Sequence, residues 1–338
     1  MSKLTDCLIK KDFSCKPVWF MRQAGRYLPE FQKIRKKNKN FIKLCLNIDL
    51  CTEITLQPIK RFDLDAAIIF SDILIVPFAF GQEVNFKEKG GPKLSNFNLK
   101  EFMKIKKGEF LKTLAPVYSA ISETRKKLHQ NKSLICFVGS PWTILTYMLN
   151  LDKKNFDNLY FNKNFVHKDF SAVIEKLIEF LCYHIEQQVK AGADIVQIFD
   201  SWAGILDQSN LEKYCYQPNK TLVNFCRKIE TPSICFPKGI KENYKQFQNF
   251  VRPDGLNIDY DIDPNWAKEN LKDVCIQGGM NPSILLETNT KKVLLEVEKY
   301  LKIFKNIPYI FNLGHGILPD TNPLIIDKIV ERIQKRNR

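Results

Sequence analysis

Eight short runs of β-branched and aromatic residues, bounded by Gly, Pro, Asp or Ser and separated by stretches of helical composition, constrain this chain more than any other feature. The runs are Pro17–Met21, Ala66–Phe70, Leu134–Val138, Ile195–Phe199, Ser233–Phe236, Leu256–Ile258, Val274–Gln277 and Tyr309–Asn312. Helical patterns fill Asp169–Lys190, Asn210–Lys228, Asn265–Leu271 and Ser283–Phe304. Near-continuous apolar strands are buried on both faces, and strands that alternate with helices run parallel, because each crossover returns the chain to the same end. Eight such units within 338 residues predict an α/β fold, a closed (β/α)8 TIM barrel rather than an open doubly wound sheet. The sixth run is the weakest. Alternating Val84 and Phe86 ahead of Gly90-Gly91-Pro92 predict a hairpin excursion after the second run. No repeat, linker or composition break divides the chain, so residues 1–338 read as a single domain.

The 52 basic and 37 acidic side chains give a formal charge of +15. Lys, Asn, Ile and Phe are all abundant, as AT-rich codon usage would produce, so the bulk of this charge reads as compositional. Two clusters are denser: Lys33, Arg35, Lys36, Lys37 and Lys39, and Arg332, Lys335, Arg336 and Arg338. Each could touch a polyanion or simply form a solvated face. The 25 Phe, 11 Tyr and 4 Trp exclude a disordered chain. The longest apolar stretch, Ala66–Phe80, is broken by Ser71, Asp72 and Pro77 and falls short of the roughly 20 residues of a membrane span. Met1–Asp12 lacks the apolar centre of a secretion signal, so a cytoplasmic location is expected. Ten dispersed cysteines, none in a ligand-like spacing, read as reduced and mostly buried thiols.

In a barrel the chemistry sits where strands end, and polar or glycine-rich sequence follows nearly every run. Arg22-Gln23-Ala24-Gly25-Arg26 follows the first, Ser71-Asp72 the second, Gly139-Ser140-Pro141-Trp142 with Tyr147 the third, and Asp200-Ser201 the fourth. Pro237-Lys238-Gly239 follows the fifth and Gly314-His315-Gly316 the eighth. Arg22 and Arg26, either side of Gly25, can turn two guanidinium forks on one carboxylate or phosphate ligand, or can pair with nearby acids. Asp72, set directly after an apolar run, is a candidate charge for the site, a cap for the next segment or an anchor for an arginine. His315 alone among four histidines lies between two glycines, which permit close backbone approach. Phe41 and Trp142 are packing residues by type. Dinucleotide, P-loop, zinc-protease, serine-hydrolase and paired-cysteine zinc motifs are all absent from the sequence. What remains is a cofactor-free pocket for an anionic molecule.

The block Pro17-Val18-Trp19-Phe20-Met21-Arg22-Gln23-Ala24-Gly25-Arg26-Tyr27-Leu28-Pro29-Glu30 resembles the N-terminal signature of the uroporphyrinogen decarboxylase family. Phe70–Leu74, Gly139–Thr143 through Tyr147-Met148, Gln197–Ser201, Phe236–Gly239 and Asn312–Gly316 resemble its other blocks in order, over essentially the whole chain. Two places depart: Asn257-Ile258-Asp259-Tyr260 stands where Gly-Leu-Asp-Trp is common, and Gln277–Pro282 varies a Gln-Gly-Asn-Leu-Asp-Pro block. The resemblance implies a single-domain barrel, a homodimer, and loss of CO2 from the four acetate side chains of uroporphyrinogen III to give coproporphyrinogen III, with no metal, cofactor, membrane or nucleic acid. It implies Asp72 and Arg22 as catalytic residues and Arg22, Gln23, Ala24, Gly25, Arg26, Phe41, Asp72, Tyr147, Ser201 and His315 as substrate contacts. Two other readings compete: a zinc methyltransferase on the same barrel, which would need a His-x-Cys pair that this chain lacks, and a polyanion binder using the basic clusters.

Overall fold

The computed structural model describes residues 2–86, 91–151 and 169–337. Its strands are β1 (Ala66–Ile68), β2 (Val84–Phe86), β3 (Pro92–Leu94), β4 (Ser133–Gly139), β5 (Ile195–Asp200), β6 (Ser233–Pro237), β7 (Gly255–Ile258), β8 (Cys275–Gly278) and β9 (Tyr309–Ile310). Seven of them form one parallel sheet in the order β1-β4-β5-β6-β7-β8-β9, and β2 pairs with β3 as the expected antiparallel hairpin. Gly90 of its turn lies outside the described residues. Long helices such as Lys107–Lys127 and Asp169–Lys190 cover the sheet. Side chains alternate along each strand. Ile195 of β5 and Ile234 of β6 turn into the barrel, whereas Val196 and Ile198 pack outward under the helices.

The expected eighth strand is a correction. Pro17–Met21 contributes one parallel bridge, Val18 to Phe311, and no ladder. Pro17 has no N–H, and the N–H groups of Val18, Phe20 and Met21 are taken by the side chains of Asp65, Gln23 and Asn312, which leaves only Trp19 N–H to donate to a strand carbonyl, that of Phe311 at 3.3 Å. The segment still closes the ring: Phe311 N–H donates to the Pro17 carbonyl at 2.8 Å on one side, and Asp65 N–H to the Val18 carbonyl at 2.9 Å on the other. Two expected helices are also divided. Asn210–Lys228 contains a π turn, Leu211–Tyr216, before the regular helix Gln217–Lys228, which carries Pro218 in its first turn. In Ser283–Phe304, Asn289 caps the helix Thr290–Ile303 by accepting from the N–H groups of Lys291 and Lys292, which separates it from the 3-10 turn Pro282–Leu286.

The barrel is shut at the ends where its strands begin. The helix Lys3–Ile9 inserts Leu4, Cys7 and Leu8, all fully buried, among the lower interior residues. The Cys7 and Cys275 sulfurs meet there at 3.5 Å, and all ten cysteines are free thiols. Above this plug lies a polar layer. Trp19 Nε1 donates to Gln277 Oε1 at 2.9 Å, and Gln277 Nε2 donates to Gln197 Oε1 at 3.1 Å and to Asn257 Oδ1 at 2.8 Å. These four side chains are completely buried, and each finds a partner, which is the condition for holding amides inside a core. Phe137 and Phe199, edge to face at 5.7 Å, stand at the open end.

Candidate active site

The loop after the first run is held rigidly. Gln23 is fully buried; its Oε1 accepts from Phe20 N–H at 3.1 Å, its Nε2 donates to the Ala66 carbonyl at 3.1 Å, and its own carbonyl accepts from the Tyr27 hydroxyl at 2.9 Å. Its side chain is therefore occupied with anchoring the loop to β1. Ala24 and Gly25 are half-buried behind it. Arg22, by contrast, has φ +59°, the left-handed region that costs a non-glycine residue roughly 1–3 kcal/mol and is tolerated where the surroundings enforce it. Its side chain is exposed and passes directly over Gly316, where a Cβ would collide with the Arg22 Cγ and Cδ. Arg26 is exposed on the rim four residues on, and neither arginine has an ion-pair partner among the described residues.

Asp72 enters from the end of β1. Its Oδ1 accepts from Leu74 N–H at 2.8 Å, a turn that leads into the helix Ile75–Ala79 without capping it, while its other oxygen takes no hydrogen bond from the described residues. The neighbouring Ser71 Oγ is buried without a partner among them. The Asp72 carboxyl is surrounded by protein yet half-exposed to the mouth, and this burial pushes its pKa up to about 6, against the pull of the Leu74 N–H and the Arg22 charge. Tyr147 completes the group: it is half-buried, edge-on to Trp202 at 5.9 Å, and electrostatically coupled to both Asp72 and Arg22.

His315 faces Arg22 from the last strand end. Burial, Lys238 and Arg22 together lower its pKa to about 4. Gly316 N–H donates to Nδ1 at 2.6 Å, which requires that nitrogen to be bare and leaves the ring proton on Nε2. The sequence reading gave the flanking glycines to a ligand. The structure gives them to the protein: Gly314 is pressed against the Asp259–Tyr260 backbone and Gly316 makes room for Arg22. The expected measurement is an NMR titration in which the His315 imidazole has its midpoint near 4 and keeps its proton on Nε2 above that; a midpoint near 6.5 overturns the assignment.

A buried carboxylate missed as a site residue underlies the whole wall. Asp200, fully buried at the end of β5, accepts from the Thr143 hydroxyl at 2.7 Å and from Asn219 Nδ2 at 2.9 Å. Thr143 Oγ1 in turn accepts from Trp202 N–H at 3.0 Å, so this chain fixes the residue against which Tyr147 rests. Ser201, between Asp200 and Trp202, is exposed toward the mouth. Lys238 was missed too. Its backbone is clamped by Asp200 and Gly204, and the Gly239 N–H that follows donates to Asp259 Oδ2 at 2.6 Å. Phe41 lies against Phe70 at 5.6 Å and Phe86 at 4.7 Å, forming the side wall above Asp72. Of the remaining histidines, His184 is buried against the Tyr118 hydroxyl, His129 is exposed, and His167 lies outside the described residues.

The structure thus brings Asp72, Tyr147 and His315 each within electrostatic reach of Arg22 at the open end of the barrel, with Arg26, Phe41 and Ser201 around the rim. Comparison with known proteins gives this arrangement a lineage. The family model described as uroporphyrinogen decarboxylase matches residues 1–336. A protein of that name from Rickettsia bellii (strain RML369-C) is 43% identical over 94% of this chain and 94% of its own length, and one from Rickettsia felis (strain ATCC VR-1525 / URRWXCal2) is 39% identical over 96% and 95%. Among solved structures, a methyltransferase from Methanosarcina mazei superposes with a TM-score of 0.80 over 98% of this chain and 96% of its own, at 16% identity, a likeness of fold alone. A B12-independent methionine synthase from Shewanella sp. W3-18-1 superposes with a TM-score of 0.56 over 86% of each chain, at 10% identity. Because the family match runs the length of the barrel and relatives bearing its name align with the chain almost end to end, the chain belongs to the uroporphyrinogen decarboxylase family.

Proposed function

We propose that residues 1–338 act as one barrel unit whose open mouth binds uroporphyrinogen III and removes CO2 from its four acetate side chains, giving coproporphyrinogen III without metal or cofactor. The observation that carries this reading is a half-buried carboxylate, Asp72, coupled to Arg22 and Tyr147, with a neutral His315 on the other side of Arg22. A pyrrole acetate loses CO2 only if its ring can accept the bonding electrons. Protonation of the adjacent ring carbon makes the ring an iminium-like cation; the C–C electrons then flow into it as CO2 leaves. Protonation of the resulting methylene and loss of the ring proton restore the pyrrole, now bearing a methyl group, with one proton consumed overall.

Cation formation is the difficult step. The Asp72 carboxylate would accept the inward pyrrole N–H groups and stabilise the cation by prearranged charge, an effect worth roughly 2.7–4 kcal/mol for one well-placed group. Arg22 and Arg26 would hold the peripheral carboxylates, with Ser201, the Tyr147 hydroxyl and the His315 Nε2–H finishing their orientation and Phe41 walling the ring. His315 is neutral at neutral pH, so in this reading it donates a hydrogen bond and does not serve as the acid. A cytoplasmic homodimer with neither membrane nor nucleic-acid partner accompanies the proposal; among the described residues no helix is long and apolar enough to cross a membrane. The rivals are each weakened by an observation: the sequence lacks the zinc methyltransferase's His-x-Cys pair, and of the two clusters a polyanion binder would use, the C-terminal one is neutralised, Arg332 and Arg336 pairing with Glu298 and Lys335 with Glu331.

The test is anaerobic incubation with uroporphyrinogen III, which should yield seven-, six-, five- and four-carboxylate products in succession. In the same assay Arg26→Ala should raise KM about tenfold while kcat changes little, the signature of a lost binding contact. Absence of any decarboxylated product overturns the reading.

A further inference from the structure

The basic cluster near the N-terminus is a dense run of a single sign of charge. Between Glu30 and Asp49 the chain carries six cations, Lys33, Arg35, Lys36, Lys37, Lys39 and Lys43, and no acidic residue. The five lysines are exposed, and none is ion-paired among the described residues. Several exposed lysines elsewhere face an acid instead, as in Lys104–Glu101, Lys126–Glu123, Lys190–Glu186 and Lys299–Glu296. The two ends of the chain therefore differ in kind: the C-terminal cluster is paired and the N-terminal one is bare.

Position gives the bare cluster a meaning. Arg35 folds back to donate to the carbonyls of Asn38 and Lys39, and its guanidinium lies 5.6 Å from the Phe41 ring. Phe41 in turn packs on Phe70, two residues before Asp72, and the buried Cys45 thiol is within electrostatic reach of both Asp72 and Arg35. The segment 33–43 is thus one flank of the mouth, with its lysines facing water. Arg35, Lys36 and Lys37 also complement the carbonyl end of the helix Pro29–Lys37, but Lys39 and Lys43 lie beyond that helix and owe nothing to it.

We infer that Lys33, Lys36, Lys37, Lys39 and Lys43 form an electrostatic approach surface that draws a polycarboxylate macrocycle to the mouth without contacting it in the reacting complex. The inference rests on the function proposed above. A field from several like charges beside a low-dielectric cleft raises the local concentration and capture rate of a counter-ion, by roughly 10- to 10³-fold in strong cases, and decays within a Debye length of ~8 Å at physiological salt. Its strength scales with the charge of the incoming molecule. Each turnover removes one carboxylate, so capture weakens stepwise from the eight-carboxylate substrate to the five-carboxylate intermediate.

The test replaces all five lysines with Gln and, as a control, Lys291, Lys302, Lys305 and Lys328, which are exposed on the outer helices and the adjoining turn. The expected result is a fall of about tenfold in kcat/KM for uroporphyrinogen III at low ionic strength, with kcat within about twofold of the parent. The difference should shrink to under about twofold in ~0.5 M salt, be smaller for the isolated five-carboxylate intermediate, and be absent in the control. A loss that is independent of salt, equal for all substrates, or reproduced by the control overturns the inference. A parent enzyme that decarboxylates with a flat salt dependence overturns it while leaving the proposed function intact; a parent that makes no product overturns both.

Discussion

Asp72→Asn should fold, melt at a higher temperature than the parent at neutral pH, and decarboxylate uroporphyrinogen III roughly 10²- to 10³-fold more slowly. The fold survives because the Asn oxygen still accepts from Leu74 N–H and keeps the turn into the next helix. The stability change follows from linkage. The folded-state pKa of Asp72 is about 6, above its ordinary 3.8, so the folded protein holds this proton more tightly than the unfolded chain does. Any stability the protonated group supports is complete below about pH 4 and lost as pH rises through 6; Asn carries no such loss, so its advantage appears above 6. Turnover moves the other way. An ionised Asp72 is the form that stabilises a cation, so kcat/KM of the parent should fall on the acid side with a midpoint near 6, and the Asn variant should lack that limb. Near-parental turnover by Asp72→Asn sinks the cation-stabilising role, whatever the melting temperature shows.

The second large effect lies below the mouth. Asp200→Ala should destabilise the protein by about 3 kcal/mol, since the Thr143 hydroxyl and Asn219 amide would lose their acceptor in a fully buried place, at ~1–3 kcal/mol for each stranded group. Because Thr143 also receives Trp202 N–H, the loss should extend to Tyr147 and raise KM. Denaturant unfolding of Asp200→Ala, Thr143→Val and the double variant checks this: the two share one hydrogen-bond chain, so the double should cost clearly less than the sum. Unchanged stability in Asp200→Ala, or strict additivity, contradicts a connected network.

Residue type and position along the runs made much of this legible. Apolar strands ending in polar residues located the mouth, and Arg22, Asp72, Tyr147 and His315 stand out as charged or aromatic-polar groups at strand ends. What escaped notice shares one property: its role depends on direction. Asp200 follows an apolar run just as Asp72 does, but it lies completely buried at the end of β5 while Asp72, four residues past β1, opens onto the mouth. Lys238 is one of 52 cations, so its type carries no signal. Gln197, Asn257 and Gln277 are polar residues inside apolar runs, and counting inward positions could have grouped them. Asn257, one of the two departures from the family pattern, belongs to this layer and fills the space against Gly278. Pro17–Met21 has the composition of a strand, but a proline and the side chains of Asp65, Gln23 and Asn312, which take three of its N–H groups, reduce its ladder to one bridge.

The sealing of the barrel's base has a consequence for the order of folding. The residues that plug and close it come from the start of the chain, and their partners come from the end. Lys3 donates to Gln334 across 331 positions, Lys16 N–H to Asn337 across 321, and Met21 N–H to Asn312 across 291. On a ribosome the first twenty-odd residues therefore emerge long before these distant partners, although Asp65 follows them early. Until the final strand appears, the seam beside β1 stays open, and apolar residues such as Ile68 stay uncovered. Contacts of such separation are slow to form because the loop they close is nearly the whole polypeptide. The interval between the first residue and the last is thus the period in which this barrel is most exposed to misassembly.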